Sequence, residues 1–325
     1  MNALQLESIG SLKLRQMPIP EVRDDEILLK VTHCALCRTD VKMWEKGQRD
    51  MVLPRILGHE ICGFSEEKKR FTVWPGESCG KCRFCQSGFE NLCKKMRITG
   101  FHKDGGLADY VAVPKTSLIP IPDNMPGEVA SLSEPLGCCI NAVQQAQIKE
   151  GDKVLVYGAG AVGLLMGMAV KAYKAFPFIR EINPAKLMKS EKFQHIIGIQ
   201  RSEVLKDSEI FFDAVINAAP SADTFFNGIS HLVSGGCFCL FSGLTDSDYY
   251  VPVSAINEIH YRQLRVTGAY GCTRLQQKKG LEILSVYQNE AEMLIEEHIR
   301  LQDAPSVFPK IAAGDSLKFV VEFLP

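Results

Sequence analysis

The sequence predicts an α/β fold in two parts, an irregular and largely β portion and a doubly wound parallel sheet. Three observations carry this. The 325 residues exceed what one small core needs, given a prior of about 150 residues per domain. Short β-prone runs broken by proline, glycine and polar turns fill the N-terminal third. From Gly151 onward, apolar strand-like runs alternate with helical patterns, an order that implies right-handed crossovers and parallel strands.

Taken in order, a charged, proline-broken segment from Pro18 to Glu26 precedes the strand-like run Ile27–Thr32. The runs Phe71–Trp74 and Leu107–Val113 can turn alternate residues towards a core. Pro114, Pro120, Pro122, Pro126 and Gly127 mark a loop-rich passage before a helical pattern that begins near Val129. Lys153–Tyr157 reads as a buried strand, Gly158–Gly163 as a turn, and Leu164–Ala175 as a helix apolar on both faces. A second strand is expected around Phe178–Ile182 and a helix from about Pro184, with later strands at Phe212–Asn217, Cys237–Ser242 and Leu264–Gly268. The helical run Leu275–Tyr287 then leads to a short β-rich tail, Phe319–Phe323, able to return to the first portion.

Composition excludes several classes of function. With 37 basic and 38 acidic residues scattered along the chain, no surface for nucleic acid or an anionic membrane is expected. The first residues lack a basic stretch followed by an apolar one, so no secretory signal is read. The longest apolar stretch, Leu164–Val170, is too short to span a bilayer. A cytoplasmic protein is expected, and its 12 cysteines are therefore read as metal ligands and buried thiols, not disulfides.

Cys79, Cys82, Cys85 and Cys93 fall within 15 residues, on a loop made polar by Lys81, Arg83, Gln86 and Glu90. Four thiolates so spaced satisfy a tetrahedral zinc ion with no open position, which is a structural site. An iron–sulfur run of the bacterial type needs a closer fourth cysteine followed by proline. Gly158, Gly160 and Gly163 form a Gly-x-Gly-x-x-Gly turn after a strand and before a helix, with Glu181 18 residues past the last glycine. The first glycine permits the turn, the second admits a pyrophosphate to the backbone, and the third lets the helix pack on the sheet. Glu181 can accept from ribose hydroxyls, which favours NAD, while Arg180 beside it keeps NADP as an alternative.

The remaining chemistry-bearing residues are Cys37, Arg38, Thr39 and Asp40, then Gly58, His59 and Glu60, then Glu134 in Ser133–Gly137. Singly, each has an ordinary explanation as a buried thiol, a core histidine or a helix-entry carboxylate. Together with Gly105–Tyr110, the four-cysteine loop, the glycine turn and Gly268–Gly271, their order resembles the zinc-containing medium-chain dehydrogenase/reductase family of alcohol, polyol and threonine dehydrogenases.

That resemblance implies a GroES-like β domain (residues 1–138 and 270–325), a Rossmann domain (139–269) and a catalytic cleft between them. It implies a catalytic zinc ion on Cys37, His59 and Glu134, with Glu60 as an alternative or fourth ligand, besides the structural one. Asp40 would orient His59, Thr39 would take the hydroxyl proton, and Lys42 would stand where many relatives carry a relay histidine. Arg38 would contact the cofactor pyrophosphate, alongside Gly158, Gly160, Val162 and Gly163, with Glu181 on the ribose. Trp44, Phe101 and His102 are pocket candidates from their neighbourhood. The implied activity is hydride transfer between NAD(P) and a secondary alcohol, with a polyol or amino alcohol as the favoured substrate and the carbonyl as product, in a homodimer or homotetramer. The alternatives are reduction of another activated group, or a non-catalytic NAD(P)-binding regulator. The segment from Gly63 to Cys79 is shorter than the family's usual hairpin, and Glu191–Asp213 is also compact.

Overall fold

A computed structural model of the chain describes residues 1–202, 211–244 and 250–323, so part of the compact Glu191–Asp213 stretch lies outside the described residues. The chain divides into two units: Met1–Gly137 with Cys272–Pro325, and Cys138–Gly271.

The first unit is built on the strand Glu26–Ala35, whose residues Leu29, Val31 and Cys34 enter the core. It pairs antiparallel with Glu60–Phe64, and a register shift between Val31 and His33 bends the ladder. Glu60–Phe64 continues into Arg70–Val73 through the short turn that the trimmed sequence allows, closed by the Lys68 amide on the Ser65 carbonyl at 2.8 Å. Tyr110–Pro114 also pairs with Glu26–Ala35. The β-rich tail returns as expected: Lys318–Glu322 lies antiparallel beside the same strand, with Val321 opposite Cys34. Ile295–Ile299 is parallel to that tail strand, and the helix Ala304–Ala313 makes the crossover between them. Phe308 of that helix and Phe319 of the tail are fully buried among Leu4, Leu29, Leu57 and Leu107. Truncating one such aromatic costs about 3–5 kcal/mol, so the two chain ends are joined by packing as well as by the ladder.

The second unit is a six-stranded, all-parallel sheet. Its order is Gln200–Arg201, Phe176–Arg180, Lys153–Tyr157, Phe212–Asn217, Leu232–Leu240, Arg265–Gly268. The first strand in sequence therefore lies inside the sheet, and the strand order reverses beside it, at the position where open α/β sheets bind ligands. Val154, Leu155 and Val156 are buried because helices cover both faces. The helix after the glycine turn runs Ala161–Ala172 and is buried from Gly163 to Val170, which explains its lack of a polar face. No helix among the described residues is long and apolar enough to cross a membrane.

Candidate metal centre and dinucleotide turn

Cys37 is followed directly by the helix Arg38–Lys46. Cys37 is its N-cap: the sulfur accepts the Thr39 amide at 3.4 Å, and the Asp40 carboxylate accepts the Cys37 amide at 3.0 Å. This is a capping box with a thiol in place of the usual hydroxyl. Its consequence is chemical, because the sulfur is pinned at the positive end of a helix.

Asp40 is fully buried, and its other oxygen accepts the Gly58 amide at 3.1 Å. Gly58 has φ +92°, and a Cβ there would lie 2.7 Å from Cys34 Sγ, so only glycine suits the position. The next residue, His59, is thereby turned with Nδ1 3.3 Å from Asp40 Oδ1. That contact is an ion-pair distance without hydrogen-bond alignment, since Nδ1 has no hydrogen-bond partner. Phe101 closes the other side of the ring, edge-on with centroids 5.1 Å apart. Burial alone would lower the His59 pKa, but the charges of Asp40 and Cys37 outweigh it and hold the pKa well above the ordinary histidine value. Burial would likewise raise Asp40, yet His59 and the two amides hold it below the usual aspartate value. The anionic groups that raise His59 also favour a metal cation in the pocket.

Ligand atoms of Cys37, His59 and Glu60 lie within 4.8 Å of one another. One sulfur, one imidazole nitrogen and one carboxylate are donors that zinc accepts, and three of them leave a fourth position open. The donor set therefore fits. Glu60 is fully buried, and both of its oxygens meet Lys318 Nζ, that of Oε2 at 2.5 Å. Glu134 is not gathered into that trio: it is 8% exposed at the start of the helix Ser133–Gln145, and the Cys272 thiol donates to its carbonyl at 3.9 Å. Ser133 beside it is held by Thr72 Oγ1 at 3.0 Å and by the buried Gln277 amide at 3.3 Å. Lys318 and Gln277 escaped the sequence reading. Nothing in the local pattern marks Gln277, and the one hint at Lys318 is a lysine heading the apolar run Phe319–Val321.

The four-cysteine loop gathers its own donors. Cys79, Cys82, Cys85 and Cys93 sulfurs all lie within 4.8 Å of one another, and Cys82 and Cys85 are 3.4 Å apart. Tetrahedral zinc places sulfurs about 3.8 Å apart, so this set also fits the metal. Backbone amides of Lys81 and Cys82 lower the Cys79 pKa to about 6, whereas burial and the Cys82 sulfur raise Cys85 to about 11. Lys103 and Arg23 bridge the carboxylates of Glu26 and Glu77, tying the base of the loop to the strand Glu26–Ala35. Of the other cysteines, Cys34, Cys62, Cys139, Cys237, Cys239 and Cys272 are buried, and Cys138 is half-buried.

In the second unit, Gly158 has φ +107°, and a Cβ on Gly163 would lie 1.9 Å from the Gly158 carbonyl, so the turn and the helix contact both require glycine. A Cβ on Gly160 would meet no protein atom within 4 Å, which leaves the backbone open to a pyrophosphate at a helix N-terminus with no side-chain cap. Val162 is half-buried, and its carbonyl accepts the Cys139 thiol at 3.6 Å. Glu181 accepts the Ala159 amide at 2.8 Å and the Asn183 amide at 3.0 Å, which binds its carboxylate to the glycine turn. The Arg180 guanidinium is drawn elsewhere, 3.0 Å from His231 Nε2.

Thr39 Oγ1 is 3.5 Å from the Cys37 sulfur. Arg38 and Lys42 are exposed, and Lys42 shares a surface recess with Lys46 and Arg49. Trp44 packs edge-on against Phe308, and His102 accepts the Ile98 amide at 3.0 Å, so both have structural partners.

Residues 23–123 match the alcohol dehydrogenase GroES-like domain family. The chain is 27% identical to the L-threonine 3-dehydrogenase of Rhizobium rhizogenes, covering 96% of this chain and 95% of the relative. It is 33% identical to the L-galactonate-5-dehydrogenase of Escherichia coli over 67% of this chain and 65% of the relative. A structure described as that of a zinc-binding dehydrogenase from Sinorhizobium meliloti with NADP bound superposes with a TM-score of 0.88, at 28% identity and 99% coverage of both chains. The chain belongs to the zinc-containing medium-chain dehydrogenase/reductase family, as an enzyme of the zinc-type alcohol dehydrogenase class.

Proposed function

We propose that this protein oxidises a secondary alcohol, of the polyol or amino-alcohol kind, with NAD, and reduces the matching carbonyl in reverse. The observation that carries the reading is the gathering of Cys37, His59 and Glu60 donor atoms in an anionic, buried pocket. When bound, the zinc supplies Lewis acidity towards a substrate oxygen and the dinucleotide supplies the hydride acceptor. Cys37 and His59 would hold the metal with one carboxylate as third donor, Glu134 or Glu60 in its place, and the Glu60 oxygen is the one gathered beside them. Asp40 fixes the imidazole through its charge on Nδ1. Thr39 Oγ1, beside the Cys37 sulfur, receives the hydroxyl proton. Lys42, one helical turn on and exposed, relays it by releasing one ammonium proton to water as it takes up the incoming one. Arg38 offers an exposed cation to the pyrophosphate, and Gly158, Gly160, Val162 and Gly163 cradle it.

NAD is favoured because the Glu181 carboxylate is fastened beside the glycine turn and Arg180 is engaged by His231. The four-cysteine loop holds a second, structural zinc ion. The names of the relatives, a threonine and a galactonate dehydrogenase, support alcohols flanked by polar groups. We place the protein in the cytoplasm as a homodimer or homotetramer. The test is turnover of polyols, amino alcohols and simple alcohols with NAD and NADP in parallel, using Cys37→Ala as the blank. Zinc-dependent oxidation of a polyol or amino alcohol with NAD supports the reading. Cofactor binding without turnover would favour a regulator, and turnover of cofactor without any alcohol or carbonyl product would favour another reduction.

A further inference from the structure

The helix Arg38–Lys46 carries Lys42 and Lys46 at i and i+4, where two like charges are neighbours and weaken a helix. Neither ammonium meets a carboxylate among the described residues. Lys46 stands in the last turn, where the helix dipole accounts for a cation, but the dipole accounts for neither Lys42 nor Arg49. All three side chains are exposed, and they line one recess of the first unit together with Ile9, Met51 and Leu53. No acidic residue shares the lining. Asp50 accepts from Arg49 Nε at 2.9 Å, which leaves the two terminal nitrogens of that guanidinium free among the described residues. The recess is formed where the helix stops. Gly47 ends it at φ +75°, and a Cβ there would lie 3.3 Å from Ile9 Cδ1, so the turn keeps a glycine. The Gly10 amide, donating to the Trp44 carbonyl at 2.7 Å, draws the turn after Asn2–Ser8 against the same helix. The volume, ≈ 480 Å³, is that of a site for a small organic molecule and exceeds what a bare ion needs.

Thr39, Lys42 and Lys46 stand at i, i+3 and i+7, which is one face of the helix. At about 1.5 Å of rise per residue, Lys42 and Lys46 lie about 4.5 and about 10.5 Å along the axis from Thr39. A chain of about five or six carbons, with bonds of about 1.5 Å, covers that interval. We propose that the substrate is an anionic polyol, with a phosphate or a carboxylate at the end remote from the reacting hydroxyl, and that Lys42, Lys46 and Arg49 hold this anionic end. The inference rests on the alcohol-oxidation reading above, because Thr39 fixes the reacting end of the chain. An uncharged polyol leaves the three cations unanswered. A phosphate, with about two charges and three acceptor oxygens, answers them more fully than a carboxylate does.

Binding to the full-length protein is measured by calorimetry for glucitol, mannitol and galactitol, for their 6-phosphates and for the corresponding hexonates. Turnover of the same compounds by the zinc-loaded protein with NAD is followed in parallel. At least one anion should bind about tenfold or more tighter than its parent hexitol, the scale of one charge-assisted hydrogen bond. The advantage should shrink as salt is raised. Whichever anion gains more, phosphate or carboxylate, identifies the natural end group. In the double variant Lys46→Gln, Arg49→Gln the ratio of anion to parent hexitol, in Kd and in kcat/KM, should fall by about tenfold or more. Lys46→Arg with Arg49→Lys keeps both charges and should keep most of the ratio. The proposal is overturned if no anion outbinds its parent, if the double Gln variant leaves the ratio unchanged, or if the loss appears in the Kd of NAD instead, which would give the recess to the cofactor. Recess-dependent anion binding with no turnover of any alcohol would remove the alcohol-oxidation reading and, with it, the anion as substrate. Turnover of hexitols without any preference for the anions would remove only this inference.

Discussion

The two thiol-bearing regions of the first unit differ in how far the chain travels to build them. The four-cysteine loop draws every donor from 15 consecutive residues, and three of its four cysteines stay partly exposed. The Cys37 region takes its sulfur from a helix N-cap, its imidazole and carboxylate from the edge of a strand, and its balancing cation from the end of the chain. The loop offers four like donors fastened by backbone amides, which saturate a tetrahedral ion. The other region mixes sulfur, nitrogen and oxygen donors inside a buried field of charges, with its carboxylate paired to a lysine. A closed site needs only local chain; an open and tunable one needs a core around it.

That contrast can be broken at several points, taken from the largest effect to the smallest. Cys37→Ala should remove one metal and lower kcat/KM by more than about a thousandfold, matching the several kcal/mol that Lewis-acid polarisation supplies. Metal analysis should find the loop ion still in place. Asp40→Asn keeps the side-chain shape but removes the charge facing His59 Nδ1, so metal affinity at that site should fall about 10–100-fold in a competition titration. Cys82→Ser should do the reverse of Cys37→Ala. It should release the loop metal and open the exposed lysines nearby to limited trypsin digestion, while the Cys37 site keeps its ion.

The smallest effect concerns the tie between the loop and its support. Burial would raise the pKa values of Glu26 and Glu77, but hydrogen bonds and charge from Lys103, with Arg23, hold both below the ordinary glutamate value. A carboxylate lowered on folding stabilises fully above its unfolded value, about 4.3, and that contribution is lost as pH falls through the lowered folded values. Urea midpoints measured from neutral pH down to the acid range should therefore drop below that value, and Lys103→Met should flatten the drop. An unchanged acid profile in Lys103→Met would mean that the tie carries no stability.

Whatever depends on near neighbours was legible in the residues alone. Gly158, Gly160 and Gly163 announce a strand–turn–helix because the backbone angle and the close approach exclude side chains at those positions. Four cysteines on a polar loop announce a closed metal site for the same local reason. The alternating strands and helices announce the parallel sheet, and the tail Phe319–Phe323 was legible as a strand. The helix Arg38–Lys46 was hidden because its cap is a cysteine, which no capping pattern marks. Which carboxylate oxygen lies beside the Cys37 and His59 donor atoms is visible only in the folded chain. Spacing treats Glu60 and Glu134 alike, whereas the pairing of Glu26–Ala35 with Glu60–Phe64 brings Glu60 into reach. Lys318 lies beyond any local pattern for the same reason. Its meaning comes from a strand ladder that joins the two ends of the chain, and from burial that makes one ammonium and one carboxylate depend on each other.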